Sequence, residues 1–149
     1  EEITEWTKDY DPSRLVNPAS GGNHYDVGDM IDMHNYPDPV MGLFDVKRVN
    51  VLGEYGGIGL VLDDHLWEKD RNWGYVQYKN SDQATDVYVQ YAEELKKLIP
   101  YGYAGAVYTQ TTDVEIEVNG LMTYDRKVIK LDEDRLRKIN QEICNFLSK

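Results

Sequence analysis

The chain of 149 residues lacks the sequence features that mark several common classes of protein. No stretch approaches the ~18 consecutive apolar residues of a membrane-spanning helix, and the single cysteine rules out an internal disulfide. There is no glycosylation sequon, Cys/His ligand cluster, phosphate-binding loop or dinucleotide-binding glycine motif. The sequence therefore gives no indication of a cofactor or a metal.

Positive charge is also scarce. The chain has 16 Lys and Arg against 27 Asp and Glu, and its net charge is −11. Binding to nucleic acid or to an anionic membrane surface requires basic residues. We therefore expect neither as a partner, whereas a neutral small molecule is compatible with this charge. Solubility alone explains the acidity equally well.

The first residues indicate that the chain belongs to something longer. It opens without Met and without a signal peptide, on Glu1–Trp6, a segment typical of the middle or the end of a helix. We expect any targeting signal to lie upstream, so the sequence leaves the compartment undetermined among periplasmic, secreted and cytoplasmic. The lone Cys144 is expected to be a small buried hydrophobe on the apolar side of a helix.

Apolar residues at helical spacing predict two long helices and one partial helix. The first covers 82–99 with Ser81 or Asp82 as N-cap, and the second covers 132–147 with Asp132 as N-cap. A partial helix is predicted at about 1–9. The apolar faces of the two long helices are Val87, Tyr91, Leu95 and Leu98, and Leu136, Ile139, Ile143 and Leu147.

Four short apolar runs predict buried strands. They lack polar/apolar alternation, which favours a parallel sheet covered on both faces. Each run ends in polar or aromatic residues, and a (β/α)8 barrel keeps its active site at such carboxyl ends. Asn119-Gly120 within Val114–Tyr124 predicts an extra hairpin or an ordered loop after the last strand. The four runs are Arg14–Ala19, Met30–Tyr36, Val49–Tyr55 and Tyr103–Thr111.

Glu54 is the first candidate for chemistry. It ends an apolar strand, where a carboxylate is unfavourable unless it is paired or used. Gly53, Gly56 and Gly57 allow a ligand to approach the backbone closely. From the residues alone, a functional role and an ion pair with a buried Arg are equally good explanations.

Four segments, in order along the chain, resemble glycoside hydrolase family 2. Leu52–Gly57 is similar to the seventh-strand motif of that family, whose Glu-Tyr-Gly end carries the nucleophile. The resemblance implies an α/β fold in which residues 1–149 form one partial domain, the C-terminal half of a TIM barrel (strands five to eight). The N-terminal half and accessory β-sandwich domains would then lie outside the chain. The other three segments are Asp11–Val16, Asp32–Tyr36, and Gly120–Met122 with Asp125–Lys127.

The resemblance implies a retaining β-glycosidase, similar to β-galactosidases, that needs no cofactor. Such enzymes use two carboxyl groups about 5 Å apart, one as nucleophile and one as acid/base. Glu54 would be the nucleophile, and Tyr36 would hydrogen-bond to it. The acid/base of the family belongs to an Asn-Glu pair, and this sequence contains no Asn-Glu dipeptide. We therefore expect the chain alone to be inactive.

Other residues are candidates for contacts with a carbohydrate substrate. Tyr108 stands where many members of the family have a Trp that floors the sugar site, and Trp67 suits stacking on a sugar ring. His34, Asn35 and Gln110 suit hydroxyl contacts, although a structural role explains each equally well. Trp73 is expected to pin its loop onto the barrel. The adjacent Asp63, Asp64 and His65 are not expected to bind a metal.

Two further readings stay open. One is a non-catalytic carbohydrate-binding or scaffold module, and the other is an unrelated α/β protein. A half-barrel would also expose two open edges, at Arg14–Ala19 and Tyr103–Thr111, and an inner face around Ile31, Val51 and Ala106. Open edges invite pairing with another chain, so we expect self-association.

Overall fold

A computed structural model describes residues 1–148 and shows an α/β fold with three helices and five strands in this range. The strands form two small sheets, and every strand pairing in them is parallel. The α/β class predicted from the sequence is therefore confirmed. The helices and strands are α1 (Glu2–Tyr10), β1 (Met30–His34), β2 (Val49–Gly56), β3 (Ile58–Leu60), β4 (Val76–Tyr78), α2 (Ser81–Leu98), β5 (Tyr103–Thr109) and α3 (Glu133–Cys144).

The larger sheet has the order β1-β2-β5, with β2 in the centre. His34 at the end of β1 lies opposite Glu54 on β2, and Gly56 lies opposite Thr109 on β5. Because the strands are parallel, their carboxyl ends share one edge of the sheet. This edge collects the polar and aromatic strand-end residues that the sequence indicated.

The second sheet begins where β2 ends. Gly57 has φ +63°, a left-handed conformation that favours glycine, and the chain turns there into β3. Its N–H donates to the carbonyl of Thr109 (3.0 Å), so the turn remains attached to β5. Ile58 and Leu60 of β3 are almost completely buried. The pairing of β3 with β4 was not predicted, because three-residue strands carry too short a pattern.

The core lies between the sheets and the helices α2 and α3. Tyr91 and Leu95 of α2, and Leu136 and Ile139 of α3, are buried as their helical spacing predicted. Burial of each large apolar side chain contributes roughly 1.5–3 kcal/mol. Hydrogen bonds between Tyr88 and Asn140 (3.1 and 2.9 Å) also link the two helices. The core cluster is Leu52, Tyr55, Ile58, Leu60, Ala84, Tyr88, Tyr91, Ala92, Leu95, Tyr103, Leu131, Leu136 and Ile139.

The strand predicted at Arg14–Ala19 is wrong, since this segment is irregular. It makes one backbone hydrogen bond to the residue before β1, from Asp29 N–H to the carbonyl of Val16 (2.9 Å), and its other bonds to this region involve side chains. The N–H of Val16 donates to Asp29 Oδ2 (2.7 Å), and Asn17 Nδ2 donates to Asp32 Oδ2 (2.6 Å). Pro18 has no N–H to offer a ladder. The segment lies near β1 through these bonds, without joining the sheet.

One of the two predicted helix caps differs from the structure. The N-cap of α2 is Asn80, whose Oδ1 accepts from Gln83 N–H (2.9 Å), and not Ser81 or Asp82. For α3 the predicted cap Asp132 is confirmed.

The apolar face of α3 is shorter than predicted. Its buried residues are Leu136 and Ile139, with Ile143 partly buried. Leu147 lies beyond the helix and is exposed. The predicted burial of Cys144 is wrong, since it is exposed at the last helical residue.

The segment after β5 is an ordered loop, not a hairpin around Asn119-Gly120. Its turn lies at Val114–Glu117, where the two residues exchange backbone hydrogen bonds of 3.1 and 3.0 Å. A buried ion pair closes it, with Lys130 Nζ 2.7 Å from Asp113 Oδ1. Burial raises the pKa of Asp113 and lowers that of Lys130. None of the helices within residues 1–148 combines the length and apolar character that a membrane crossing requires.

Candidate functional site

The candidate site is the carboxyl edge of the larger sheet, with Glu54 at its centre. The Glu54 side chain is 41% exposed, so a molecule in solvent can reach its carboxylate. Its backbone is fixed, because its carbonyl accepts a hydrogen bond of 3.0 Å from Asn35 N–H at the end of β1. No Arg or Lys is paired with it in the described part of the chain, so the buried ion pair that its position also allowed is not present.

The hydroxyl of Tyr36 donates to Glu54 Oε2 at 2.5 Å. Burial, and after it the hydrogen bond to Glu54, raises the pKa of Tyr36 well above its usual range. The phenol therefore keeps its proton at every ordinary pH and remains a donor. Among residues 1–148 no hydrogen bond reaches Glu54 Oε1, so one carboxylate oxygen is held and the other is available to a ligand.

His34 lies against the same carboxylate. Its Nδ1 is 3.4 Å from Glu54 Oε2, and its Nε2 is 3.2 Å from Ser20 Oγ and 3.6 Å from Asp32 Oδ1. The ring is thus placed between one exposed and one buried carboxylate. This arrangement fixes its orientation beside Glu54.

Asp32 is a site residue that the sequence reasoning did not single out. It is 5% exposed, and a buried carboxylate must be hydrogen-bonded to be tolerated. Asn17 Nδ2 (2.6 Å) and the N–H of Gly53 (2.9 Å) supply these bonds. A Cβ at Gly53 would lie 2.1 Å from Asp32 Oδ1, so glycine is required for this approach. Asp32 is therefore saturated by the protein and holds His34 from behind.

An aromatic wall lies beside Glu54. The rings of Tyr36 and Tyr75 stack with centroids 3.6 Å apart and planes 3° from parallel. Trp73 meets Tyr75 nearly edge-on, with centroids 5.4 Å apart. Tyr75 is 47% exposed and Trp73 is 41% exposed. Sequence reasoning weighed Trp73 but missed Tyr75, since no local pattern indicates which loop residue meets Tyr36.

The remaining predicted contacts divide into those with a partner in the fold and those facing solvent. Asn35 Nδ2 donates to the carbonyl of Asp38 (2.7 Å), and Gln110 Nε2 donates to Asn119 Oδ1 (2.9 Å). Both side chains therefore stabilise turns at the ends of β1 and β5. Trp67 is 61% exposed and packs against the edge of Tyr124.

Tyr108 is held inside the fold. Its ring packs edge-on against Tyr55 and Tyr88. Its hydroxyl accepts from Ile58 N–H (3.3 Å) and donates to the carbonyl of Asn119 (3.2 Å). Burial raises its pKa above the usual range. These contacts account for Tyr108 without a ligand, and Tyr75 and Trp73 form the exposed aromatic surface near Glu54.

The described residues contain no group of three or more His, Cys, Asp or Glu side chains placed to hold a metal ion. A surface concavity of about 850 Å³ lies between α1 and residues 16–18. None of the predicted site residues lines it. The chemistry that the site can perform is therefore that of an accessible, oriented carboxylate beside an aromatic wall.

Comparison with known proteins identifies no matching family and no matching curated protein for this chain. The resemblance to glycoside hydrolase family 2 consequently rests on the four sequence segments themselves.

Proposed function

We propose that this chain supplies the nucleophile of a retaining β-glycosidase, related to glycoside hydrolase family 2 and similar to β-galactosidases. The observation that carries the proposal is the pair Tyr36–Glu54: an exposed carboxylate at the carboxyl ends of parallel strands, held through one oxygen by a phenol. On this proposal the three-stranded sheet is part of the C-terminal half of a (β/α)8 barrel. The partner carboxyl would come from outside these 149 residues.

The step proposed for Glu54 follows from which of its oxygens is bound. Oε1 attacks the anomeric carbon, forming an ester bond, while the bond to the leaving oxygen breaks and its electron pair departs with that oxygen. The hydrogen bond from Tyr36 to Oε2 orients the carboxylate. Tyr75 and Trp73 offer apolar ring surface to the sugar face.

Asp32, which is joined to Glu54 through His34, cannot serve as the acid for the leaving group. It is buried and already bonded to Asn17 and Gly53. A general acid contributes about 10²–10⁴-fold to the rate. We therefore expect the chain alone not to turn over aryl β-galactosides, β-glucosides or β-glucuronides whose leaving groups need a proton.

A leaving group that needs no proton provides the test. Dinitrophenyl 2-deoxy-2-fluoro-β-glycosides release a stable phenolate, so Glu54 alone suffices to form the covalent adduct, and the fluorine slows its hydrolysis. We expect mass spectrometry to find one sugar bound to the Glu54 peptide, and Glu54→Gln to abolish it. Glu93→Gln is the matched control, because Glu93 is a comparably exposed carboxylate on α2 (48%).

The exposed aromatic rings favour a second candidate, a non-catalytic carbohydrate-binding module. Its distinguishing result is reversible sugar binding without a covalent adduct. Tyr75→Ala and Trp73→Ala should weaken this binding, and Glu54→Gln should leave it reversible. Adduct formation on another carboxylate would contradict both candidates as stated.

A further inference from the structure

We propose that Tyr75 is the residue that positions Tyr36 on Glu54, and so sets the orientation of the nucleophile. The inference rests on the proposed function for its catalytic meaning, since it names the device that aligns the attacking carboxylate. Its structural part stands independently. It concerns a contact between a loop residue and a strand-end residue that lie far apart in the sequence.

The stack itself is the first observation. With a centroid distance of 3.6 Å and an interplanar angle of 3°, the rings of Tyr36 and Tyr75 overlap face to face. Such an overlap restrains both the tilt of the Tyr36 ring and its rotation about the side chain. Because the phenol oxygen sits at the far end of that ring, the restraint becomes a restraint on the hydrogen bond to Glu54.

Tyr75 is held in place from both sides along the chain. Trp73 donates to the carbonyl of Ile116 (2.9 Å), and its own carbonyl accepts from Val118 N–H (2.8 Å). Val76 begins β4 and pairs with Ile58. Tyr75 therefore lies between the anchored residues Trp73 and Val76, so the backbone from which its ring extends is held in place.

Gly57 leaves the space that Tyr75 occupies. A Cβ at Gly57 would lie 2.4 Å from Cδ2 of the Tyr75 ring, and the φ of +63° is strained for any other residue. The turn that ends β2 is thus shaped around the Tyr75 ring, three residues after Glu54. The nucleophile strand and its aromatic support are built as one unit.

The stack also covers Tyr36. Burial is the largest cause of the raised pKa of Tyr36, and Tyr75 shields one face of the ring. Loss of the Tyr75 ring would admit water to that face, so the pKa of Tyr36 would fall towards its ordinary value of about 10. The titration of Tyr36 therefore reports whether the stack is present, without any substrate.

The experiment is an NMR titration of [ζ-¹³C]tyrosine-labelled full chain, with Tyr36→Phe identifying the resonance. We expect Tyr36 to stay protonated up to about pH 11 in the parent and in Tyr75→Phe, which keeps the ring, and to ionise at a lower pH in Tyr75→Ala, which exposes one face of Tyr36. Gly57→Ala should act like Tyr75→Ala, since it displaces the ring without removing it. Tyr101→Ala, at an exposed tyrosine outside the site, is the control for general effects and should leave the titration unchanged.

Labelling at saturating fluorosugar separates positioning from binding, because Tyr75 also offers ring surface to the sugar. In labelling by the fluorosugar, Tyr75→Ala should slow the covalent step by about tenfold to a hundredfold, as misplaced catalytic groups do, and Tyr75→Phe should restore it. An unchanged Tyr36 titration in Tyr75→Ala overturns the inference. So does a labelling rate that falls as much in Tyr75→Phe as in Tyr75→Ala. If Glu54 is not labelled in the parent but the titrations follow the expected pattern, the proposed function fails and the structural role of Tyr75 stands.

Discussion

At the scale of single residues, the molecule places its acidic side chains in two kinds of setting. Glu54 is exposed with one oxygen free, whereas Asp125 is fully engaged. Asp125 Oδ1 accepts from Thr123 Oγ1 (2.6 Å), and Oδ2 lies 2.9 Å from His65 Nδ1. These bonds hold the pKa of Asp125 well below its usual range, and the bond from Thr123 has the largest effect. Asp125 therefore joins the loop after β3 to the loop after β5.

The lowered pKa gives a stability prediction with a definite sign. An acid whose pKa is depressed in the folded state stabilises it above the unfolded value of about 4, and this contribution disappears as the pH falls through the folded value. Asp125→Asn should therefore reduce the free energy of unfolding at neutral pH, by an amount that shrinks below about pH 4. Urea unfolding across this range checks it.

Asp70→Asn is the matched control, since Asp70 is an exposed acid in the same loop as His65. It should change stability little at any pH. If Asp125→Asn lowers the free energy of unfolding as much at low pH as at neutral pH, the side chain acts through packing and not through its charge.

Site residues differ in how far the sequence could predict them. Glu54 was predictable because a carboxylate at the end of an apolar strand, among glycines, is costly unless it has a role. Tyr36 was implied only through family resemblance. Tyr75 could not be predicted, because no local sequence pattern relates it to Tyr36, the residue on which it stacks. Asp32 was likewise hidden, since its burial depends on Asn17 approaching from an irregular segment.

At the scale of elements, helices were more predictable than strands. The 3.6-residue period of α2 and α3 spans several turns, so their existence and buried faces follow from the sequence. Short apolar runs carry less information. Arg14–Ala19 has the composition of a strand. In the structure, however, the N–H of Val16 and the side chain of Asn17 donate to the carboxylates of Asp29 and Asp32. Composition cannot distinguish that arrangement from a ladder.

The N-cap of α2 provides a direct test at this scale. Asn80 accepts from Gln83 N–H at 2.9 Å, so Asn80→Ala should lower the free energy of unfolding by about 1 kcal/mol, as loss of a cap does. Ser81→Ala is the control at the neighbouring position and should cost much less. Chemical denaturation of both variants measures the difference, and a larger effect of Ser81→Ala would contradict the cap.

At the scale of the whole molecule, the edge strand β5 is the least protected part of the larger sheet. It pairs with β2 only, and the four consecutive residues Ala104–Val107 are exposed. They include neither Lys nor Pro, the residues that commonly prevent edge-to-edge pairing. The predicted edge at Tyr103–Thr111 thus corresponds to β5, while the other edge is β1 in place of the predicted Arg14–Ala19.

We therefore expect the chain to self-associate through β5. Its net charge of −11 opposes association, so association should strengthen with added salt, which screens that repulsion. Sedimentation at several concentrations and salt levels measures it. Val107→Lys should restore the monomer by placing a charge on the edge, and a parent chain that stays monomeric at high salt and concentration would contradict the expectation.

The place of β2 between β1 and β5 also determines when the site can form. β1 and β2 are near neighbours in the chain, so Tyr36 and Glu54 can meet early. During synthesis, β2 cannot pair with β5 until β3, β4 and α2 have been translated, because they lie between the two strands in the sequence. Closing so long a loop costs chain entropy, which the contacts between β2 and β5 offset only after they form. On a ribosome, a chain that ends before β5 would carry Glu54 on a strand with a single neighbour, β1. The carboxylate is thus among the earlier parts of the site, and its surroundings are completed late in folding.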